Sequence, residues 1–227
     1  CDLNPEVAKL INFDSHLNII NNTSKDQKIL LPNTNSGYGI GEKNSLCDEN
    51  SPLRPISIYG KYKVEIEKAF IEKGNAITFR LATVFGTSPR MRMDLLVNDF
   101  VFKAYKDNYL ILFEENFRRN FIHIKDVVNA FHFGINNFDT MVGQSYNVGL
   151  SSANLTKKQL SEKIKEYVPS LYIKSAEVGE DPDKRDYLVS NKKIENLGWS
   201  AKYSLDFGIK ELLKAYKFLK NRNYSNV

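Results

Sequence analysis

Two short apolar runs, Lys28 to Pro32 (KILLP) and Ala76 to Val84 (AITFRLATV), each follow a stretch whose apolar residues recur at helical spacing. Val7, Leu10, Ile11, Leu17 and Ile20 mark a helix from Pro5 to about Ile20, and Val64, Ile66, Ala69 and Phe70 mark another from Ile58 to Glu72. Helix and strand in alternation, with strands apolar enough to be buried on both faces, predict a parallel α/β sheet. Beyond Gly86 the segments shorten. The spacing predicts helices over Asp94 to Lys106, Asp126 to Gly134, Asn154 to Tyr167 and Leu205 to Leu219. Strands are expected at Tyr109 to Phe113, Phe121 to Ile124 and Ser145 to Val148, with extended segments at Pro169 to Ser175 and Tyr187 to Val189.

Composition narrows the classes. With 42% hydrophobic and 26% charged residues, 227 residues can bury a core, and no apolar run approaches the roughly 18 residues of a membrane span. The net charge of +5 is spread along the chain, which suits an anionic small ligand and supplies no basic stripe for nucleic acid. Cys1 and Cys47 cannot build a disulfide framework, so the reducing cytoplasm is the expected compartment. His16, His123 and His132 have no partners at metal-ligand spacing, and no metal is expected. His123, between isoleucines, reads as a structural histidine.

Tyr59 and Lys63 open the long helix four residues apart, which places phenol and ammonium on one face. A phenol with a pKa near 10 is a poor base at neutral pH until a nearby cation stabilises its anion. Taken alone the pair is equally that of an exposed Tyr and Lys on an ordinary surface helix. Thr34 follows the KILLP strand in Pro32-Asn33-Thr34-Asn35-Ser36-Gly37-Tyr38-Gly39. A hydroxyl at the carboxyl end of a parallel strand faces the crevice where α/β sheets bind ligands, although this loop by itself is a glycine-rich turn.

Taken in order, these segments resemble the extended short-chain dehydrogenases/reductases that act on nucleotide sugars. TNSGYG is similar to that family's S/T-x-x-x-Y-G element, SPLRPISIYGKYK to P-x-S-x-Y-G-x-x-K, FRLATVFG to R-x-x-N-V-Y-G and RRNFIHIKDV to R-D-F-I-H-V-x-D-V. NPEVAKLINFDSHLNII and SYNVGLSSANLTKKQL extend the resemblance over essentially the whole chain. It implies a Rossmann-like doubly wound parallel sheet with a smaller carboxyl-terminal α/β substrate-binding domain. Residues 1–86 would be the carboxyl-terminal half of the NAD-binding domain and 87–227 mainly the substrate domain, with about 119–138 packing back on the first.

The resemblance also implies roles. Tyr59, Lys63 and Thr34 would form the catalytic set, with NAD as hydride carrier. Tyr59 and Lys63, with Ala82 and Val84, would meet the cofactor. A nucleotide-diphosphate sugar, with a GDP-sugar favoured, would meet Thr34, Asn35, Ser36, Thr83, Arg90, Arg92, Asn98, Arg119 and Arg185. Thr83 stands where the family places asparagine. Asn98 could equally cap its helix, and Arg119 could be one of a solvated basic pair with Arg118. Glu180 lies near the position of a family arginine, for which Lys184 and Arg185 are the nearest cationic substitutes.

The branch most resembled includes NAD-dependent 4-oxidoreductases of GDP-heptoses used for surface polysaccharide. The expected reaction is therefore oxidation or reduction of a ring hydroxyl, at C4. The alternatives are a 4-epimerase, a 4,6-dehydratase, or a non-catalytic sugar-nucleotide-binding fragment. Dehydration is the weaker reading because Asn35 and Ser36 occupy the dehydratases' Asp-Glu positions. The chain opens with Cys1, has no methionine before Met91 and no glycine before Gly37. The expectation is that the family's glycine-rich opening, about 80 to 90 residues with the adenine half of the cofactor site, is missing. Pairing of the two long helices across a twofold axis would give a homodimer.

Overall fold

The computed structural model describes residues 4–42, 45–176, 178–179 and 184–219. The first helical stretch is α1 (Pro5–Lys9), a π-helical turn (Leu10–Asp14) and α2 (Ser15–Asn22). Asn4 caps it through a bond from the Val7 N–H, with Pro5 in the first turn. β1 (Ile29–Thr34) follows, then a 3₁₀ turn (Asn35–Tyr38), β2 (Leu46–Cys47) and α3 (Ile58–Lys73). Ser57 caps α3 through the Gly60 N–H, and Gly74 ends it at φ 84°, a left-handed conformation that glycine adopts without strain.

The long strand expected from Ala76 breaks into β3 (Ala76–Leu81) and β4 (Thr83–Phe85). At Ala82 the chain changes partners, its N–H bonding the Val148 carbonyl. The rest of the chain is α4 (Leu96–Asp107), β5 (Tyr109–Leu112), β6 (Arg118–His123), α5 (Ile124–Asn136), α6 (Phe138–Met141) and β7 (Gln144–Val148). Then come β8 (Asn154–Thr156), α7 (Lys157–Lys165), β9 (Tyr172–Ser175), β10 (Leu188–Val189), α8 (Lys192–Glu195) and α9 (Leu205–Tyr216). The helix expected from Asn154 starts three residues later. Asn154 pairs with Asn120 across an antiparallel ladder, and Thr156, in a reciprocal cap with Gln159, begins α7.

β1, β3 and β7 form a parallel sheet in that order, so the fold is α/β with a doubly wound parallel core. α3 packs on one face and α5 on the other, each covering apolar strand residues. β4 pairs parallel with β6, which pairs antiparallel with β8, and β5 pairs parallel with β9. Two main clusters of buried side chains result. One is centred on Phe79, Ile122, Tyr146 and Trp199, the other on Phe85, Val101, Leu110, Leu160 and Leu212. At the carboxyl end of β1 the 3₁₀ turn packs against the start of α3, and the residues of interest gather around that end of the sheet.

Candidate active site

Thr34 is the last residue of β1, and its Oγ1 does two things at once. It accepts from the Ser36 N–H at 3.1 Å, capping the 3₁₀ turn, and lies 2.9 Å from Ser36 Oγ. The turn is buried throughout, and the carboxamide of Asn35 has neither its Oδ1 nor its Nδ2 hydrogen-bonded. A buried amide without partners costs free energy, so this one is poised for a polar group that enters the crevice. Gly60, beside Tyr59, lies against the turn: a Cβ there would be in ordinary contact, 3.5 Å, with the Ser36 carbonyl.

Tyr59 is half-buried in the first turn of α3. Burial raises its hydroxyl above the ordinary phenol range, the positive charges of Arg185 and Arg92 pull it back part of the way, and Tyr187 works the other way. Lys63, one turn along, is buried and donates its ammonium to the Pro32 carbonyl at 2.9 Å. Burial lowers its affinity for the proton, and Glu67 opposes that shift.

Arg185 comes from the segment before β10, and its Nη1 donates to Ser36 Oγ. Arg92, in the loop before α4, is exposed and pairs with Asp94, its Nε 3.0 Å from Oδ1. Arg90 is exposed in the same loop. Ala82, Thr83 and Val84 run along the end of the strand pair, Ala82 buried and the other two half-buried.

Asn98 does not cap α4; the cap position is Leu95, without a side-chain bond. Its carboxamide instead ties the Gly86 N–H (3.0 Å) to the Arg92 carbonyl (2.8 Å), joining the strand end to the arginine loop. Arg119 is 3% exposed, which removes the solvated-pair reading. Its Nη1 donates to the Arg118 and Arg185 carbonyls and its guanidinium lies 5.7 Å from the Tyr187 ring centre. His123 is buried, caps α5 through the Lys125 N–H and bonds Glu211 at 2.9 Å. Glu180 lies outside the described residues, as do Cys1 and residues 181–183.

Sequence reasoning missed a buried ionic network under this site. Glu67 accepts from Arg80 Nε (3.0 Å) and Nη2 (2.6 Å), from Asn33 Nδ2 (2.6 Å) and from Thr78 Oγ1 (3.3 Å). Arg80 Nη1 donates to the Tyr38 hydroxyl at 2.9 Å, which lies 2.8 Å from Asn147 Oδ1. Burial disfavours the Arg80 charge, yet Glu67 and Tyr38 hold the guanidinium firmly protonated. The available signal was spacing, because Glu67 lies four residues after Lys63 and so on the same face of α3. Among the described residues no group of His, Cys, Asp and Glu could hold a metal ion, and no helix is long and apolar enough to cross a membrane.

Residues 3–149 match the model of the NAD dependent epimerase/dehydratase family. The dTDP-D-glucose 4,6-dehydratase of Mus musculus is 26% identical over 213 residues, which are 88% of this chain and 57% of that protein. A putative UDP-glucose 4-epimerase of Methanocaldococcus jannaschii is 28% identical over 234 residues, 97% of this chain and 72% of that protein. Among solved structures, dTDP-glucose 4,6-dehydratase from Bacillus anthracis in complex with NAD superposes with a TM-score of 0.79 at 22% identity, covering 94% of this chain and 69% of that one. The chain spans a little over half the length of the first curated relatives it matches.

Proposed function

Because the chain belongs to the NAD-dependent epimerase/dehydratase family, we propose that it carries the chemical half of a nucleotide-sugar oxidoreductase. The reaction is oxidation or reduction of a ring hydroxyl, at C4, with NAD as hydride carrier, in the making of surface polysaccharide in the cytoplasm. The observation that carries this reading is the convergence of the Thr34–Ser36 turn and the Tyr59 end of α3 at the carboxyl end of β1, around an unpaired Asn35 amide.

The residues fit the nicotinamide end of the cofactor. Lys63 brings an ammonium with more donors than the Pro32 carbonyl uses, and Ala82 and Val84 offer an apolar wall at the strand ends. NAD, when bound, supplies the hydride acceptor. Tyr59 takes the proton of the sugar hydroxyl, Thr34 orients that hydroxyl, and Lys63 holds the ribose and adds positive charge. The Asn35 amide donates to and accepts from a neighbouring sugar hydroxyl. Thr83 lines the same crevice, and Asn98 sets the loop that carries Arg90 and Arg92.

A nucleotide diphosphate, GDP being the favoured base, brings about two negative charges to Arg90, Arg92 and Arg185, with charge-assisted bonds on the order of 1.5 to 3 kcal/mol each. A 4-epimerase would use the same residues for the same first step. Elimination of water has less support, because neither the Asn35 carboxamide nor the Ser36 hydroxyl can exchange protons as a carboxyl does. The two buried clusters support a division into cofactor and substrate parts, but the segment that returns to the first reaches beyond 119–138: β7 pairs with β3, and Met141, Tyr146, Val148, Ile194 and Trp199 share the first cluster with Ile122, Val127, Ala130 and Phe138.

Isothermal titration with GDP, UDP and CDP, against wild type and Arg119→Ala, tests the reading. Wild type should bind at least one of them, and loss of the brace on Arg185 should weaken binding about ten- to a hundredfold. No binding of any of the three at about millimolar concentration would overturn it.

A further inference from the structure

α9 closes on the end of β4 at two glycines. A Cβ at Gly208 would sit 2.2 Å from the Phe85 ring, and one at Gly86, where φ is 104°, would sit 2.4 Å from His123 Nε2. A side chain at either position would push the helix and the strand end apart. Less than one turn after Gly208, Glu211 reaches the chain that leaves β4, and its Oε2 accepts from the Thr87 N–H at 3.1 Å. Two more donors fix the carboxylate. His123 Nδ1 accepts from the Lys125 N–H, which leaves Nε2 to donate to Oε2 at 2.9 Å, and Lys125 Nζ donates to Oε1 at 2.7 Å.

Thr87 begins the loop that carries Arg90 and Arg92 to α4, and the loop is held along its length. Before it, the Gly86 N–H donates to Asn98 Oδ1 at 3.0 Å. In its middle, Met91 is buried in the cluster to which α9 contributes Leu205, Ile209, Leu212 and Tyr216. Beyond that, the Arg92 carbonyl accepts from Asn98 Nδ2 at 2.8 Å. Asn98 is itself tied to α9, because the Tyr216 hydroxyl donates to its carbonyl at 2.8 Å. Glu211 and Tyr216 therefore hold the loop from its two ends, while Arg90 and Arg92 remain exposed between them.

We propose that Glu211 is a positioning residue of this loop: by holding the Thr87 N–H it sets the backbone from which Arg90 and Arg92 reach an anionic ligand. The last helix of the fold then contributes to affinity without touching the ligand. A loop ordered before binding does not lose its freedom on binding, and that is how a distant carboxylate strengthens the grip of two exposed arginines. That the ligand is a nucleoside diphosphate rests on the function proposed above; that Glu211 sets the loop does not.

Glu211→Gln keeps an oxygen for the Thr87 N–H and loses the charge, whereas Glu211→Leu keeps the bulk and loses the oxygen. Both should be less stable than wild type, but only the leucine variant should free the loop. Hydrogen exchange of the Thr87 amide, followed by NMR without nucleotide, should quicken about tenfold or more in Glu211→Leu and stay within about threefold of wild type in Glu211→Gln. The dissociation constant of whichever of GDP, UDP and CDP binds wild type should rise about tenfold in the leucine variant and stay within about threefold in the glutamine variant. In a background of Arg90→Ala with Arg92→Ala, Glu211→Leu should cost no further affinity. Unchanged exchange at Thr87 in the leucine variant would overturn the proposal. So would affinity that falls alike in both variants, as a structural role alone would give, or a full effect of leucine in the double-alanine background. Failure of both Glu211→Leu and Glu211→Ala to fold would make the residue a brace of the fold and end the proposal as well. A wild type that binds none of the three nucleotides sinks the nucleotide-sugar reading instead, and exchange at Thr87 then decides the proposal by itself.

Discussion

Glu67 and Arg80 form a two-point ion pair, 2.6 Å at its shorter contact, with both side chains more than nine-tenths buried between α3 and β3. Such a pair is expensive to break from one side, because the remaining charge stays buried without its partner. Glu67→Gln should therefore lower the free energy of unfolding by about 3 to 5 kcal/mol, while an apolar replacement of both residues should cost less than the single change. Urea unfolding of the two single variants and the double variant checks this. A loss in the double variant equal to the sum of the two single losses would mean that the pair is not coupled.

That pair shows where the sequence could be read and where it could not. The alternation of apolar strands and amphipathic helices gave β1, α3 and the β3–β4 segment within a few residues, because periodicity reports burial directly. It could not show the break at Ala82, where the cause is a bond to Val148 on a strand more than sixty residues away. Tyr59, Lys63 and Thr34 were legible from local spacing and from the resemblance. The contact of Arg185 with Ser36 spans 149 positions and depends on a clamp formed by Arg118 and Asp186, so no local pattern announces it. Asn98 looked like a cap because it lies near a helix start, yet the helix begins two residues earlier and leaves its amide free to tie two loops.

If Tyr59 is the proton acceptor, its hydroxyl matters to turnover and hardly to binding. Tyr59→Phe keeps the ring in the first turn of α3 and removes only the acid–base group. In the intact enzyme, turnover of a nucleotide sugar should fall by about 100-fold or more, the usual scale for a positioned acid–base group, with its dissociation constant nearly unchanged. Rapid-quench turnover beside calorimetric binding separates the two. Undiminished turnover would remove Tyr59 from the chemistry.

The first helical stretch leaves Val7, Leu10, Ile11 and Ile19 exposed, with Leu10 and Ile11 more than half open to solvent. Its other side, through Phe13, Leu17 and Ile20, already packs on Ile66 and Phe70 of α3 and on the sheet. That exposed side of the first stretch is placed to meet a twofold mate, and a homodimer with an isologous helical contact is expected. Light scattering at micromolar concentration should give twice the chain mass, and Leu10→Glu with Ile11→Glu should give the monomer. A monomer in both cases would end this expectation.

Acid should strip stability from the α9 side of the molecule through one carboxylate. Burial works against ionisation of Glu211, but bonds from Lys125 Nζ (2.7 Å), the Thr87 N–H (3.1 Å) and His123 Nε2 (2.9 Å) outweigh it and bring its pKa down to about 2. The Lys125 N–H donates to His123 Nδ1, so the neutral ring carries its proton on Nε2 and gives it to Glu211. Because the folded pKa of Glu211 lies below the unfolded value of 4.5, its contribution is whole above that value and is lost as pH falls toward 2. That contribution is on the order of 3 kcal/mol. Burial likewise lowers the pKa of His123, so the unfolded chain takes up that proton first and stability falls further below the ordinary histidine range. Glu211→Gln keeps the shape and removes the titration. Its melting temperature should lie well below wild type at neutral pH, and the two curves should converge between about pH 4 and pH 2. A gap of constant size down to the lowest pH at which both fold would show that Glu211 contributes by packing alone.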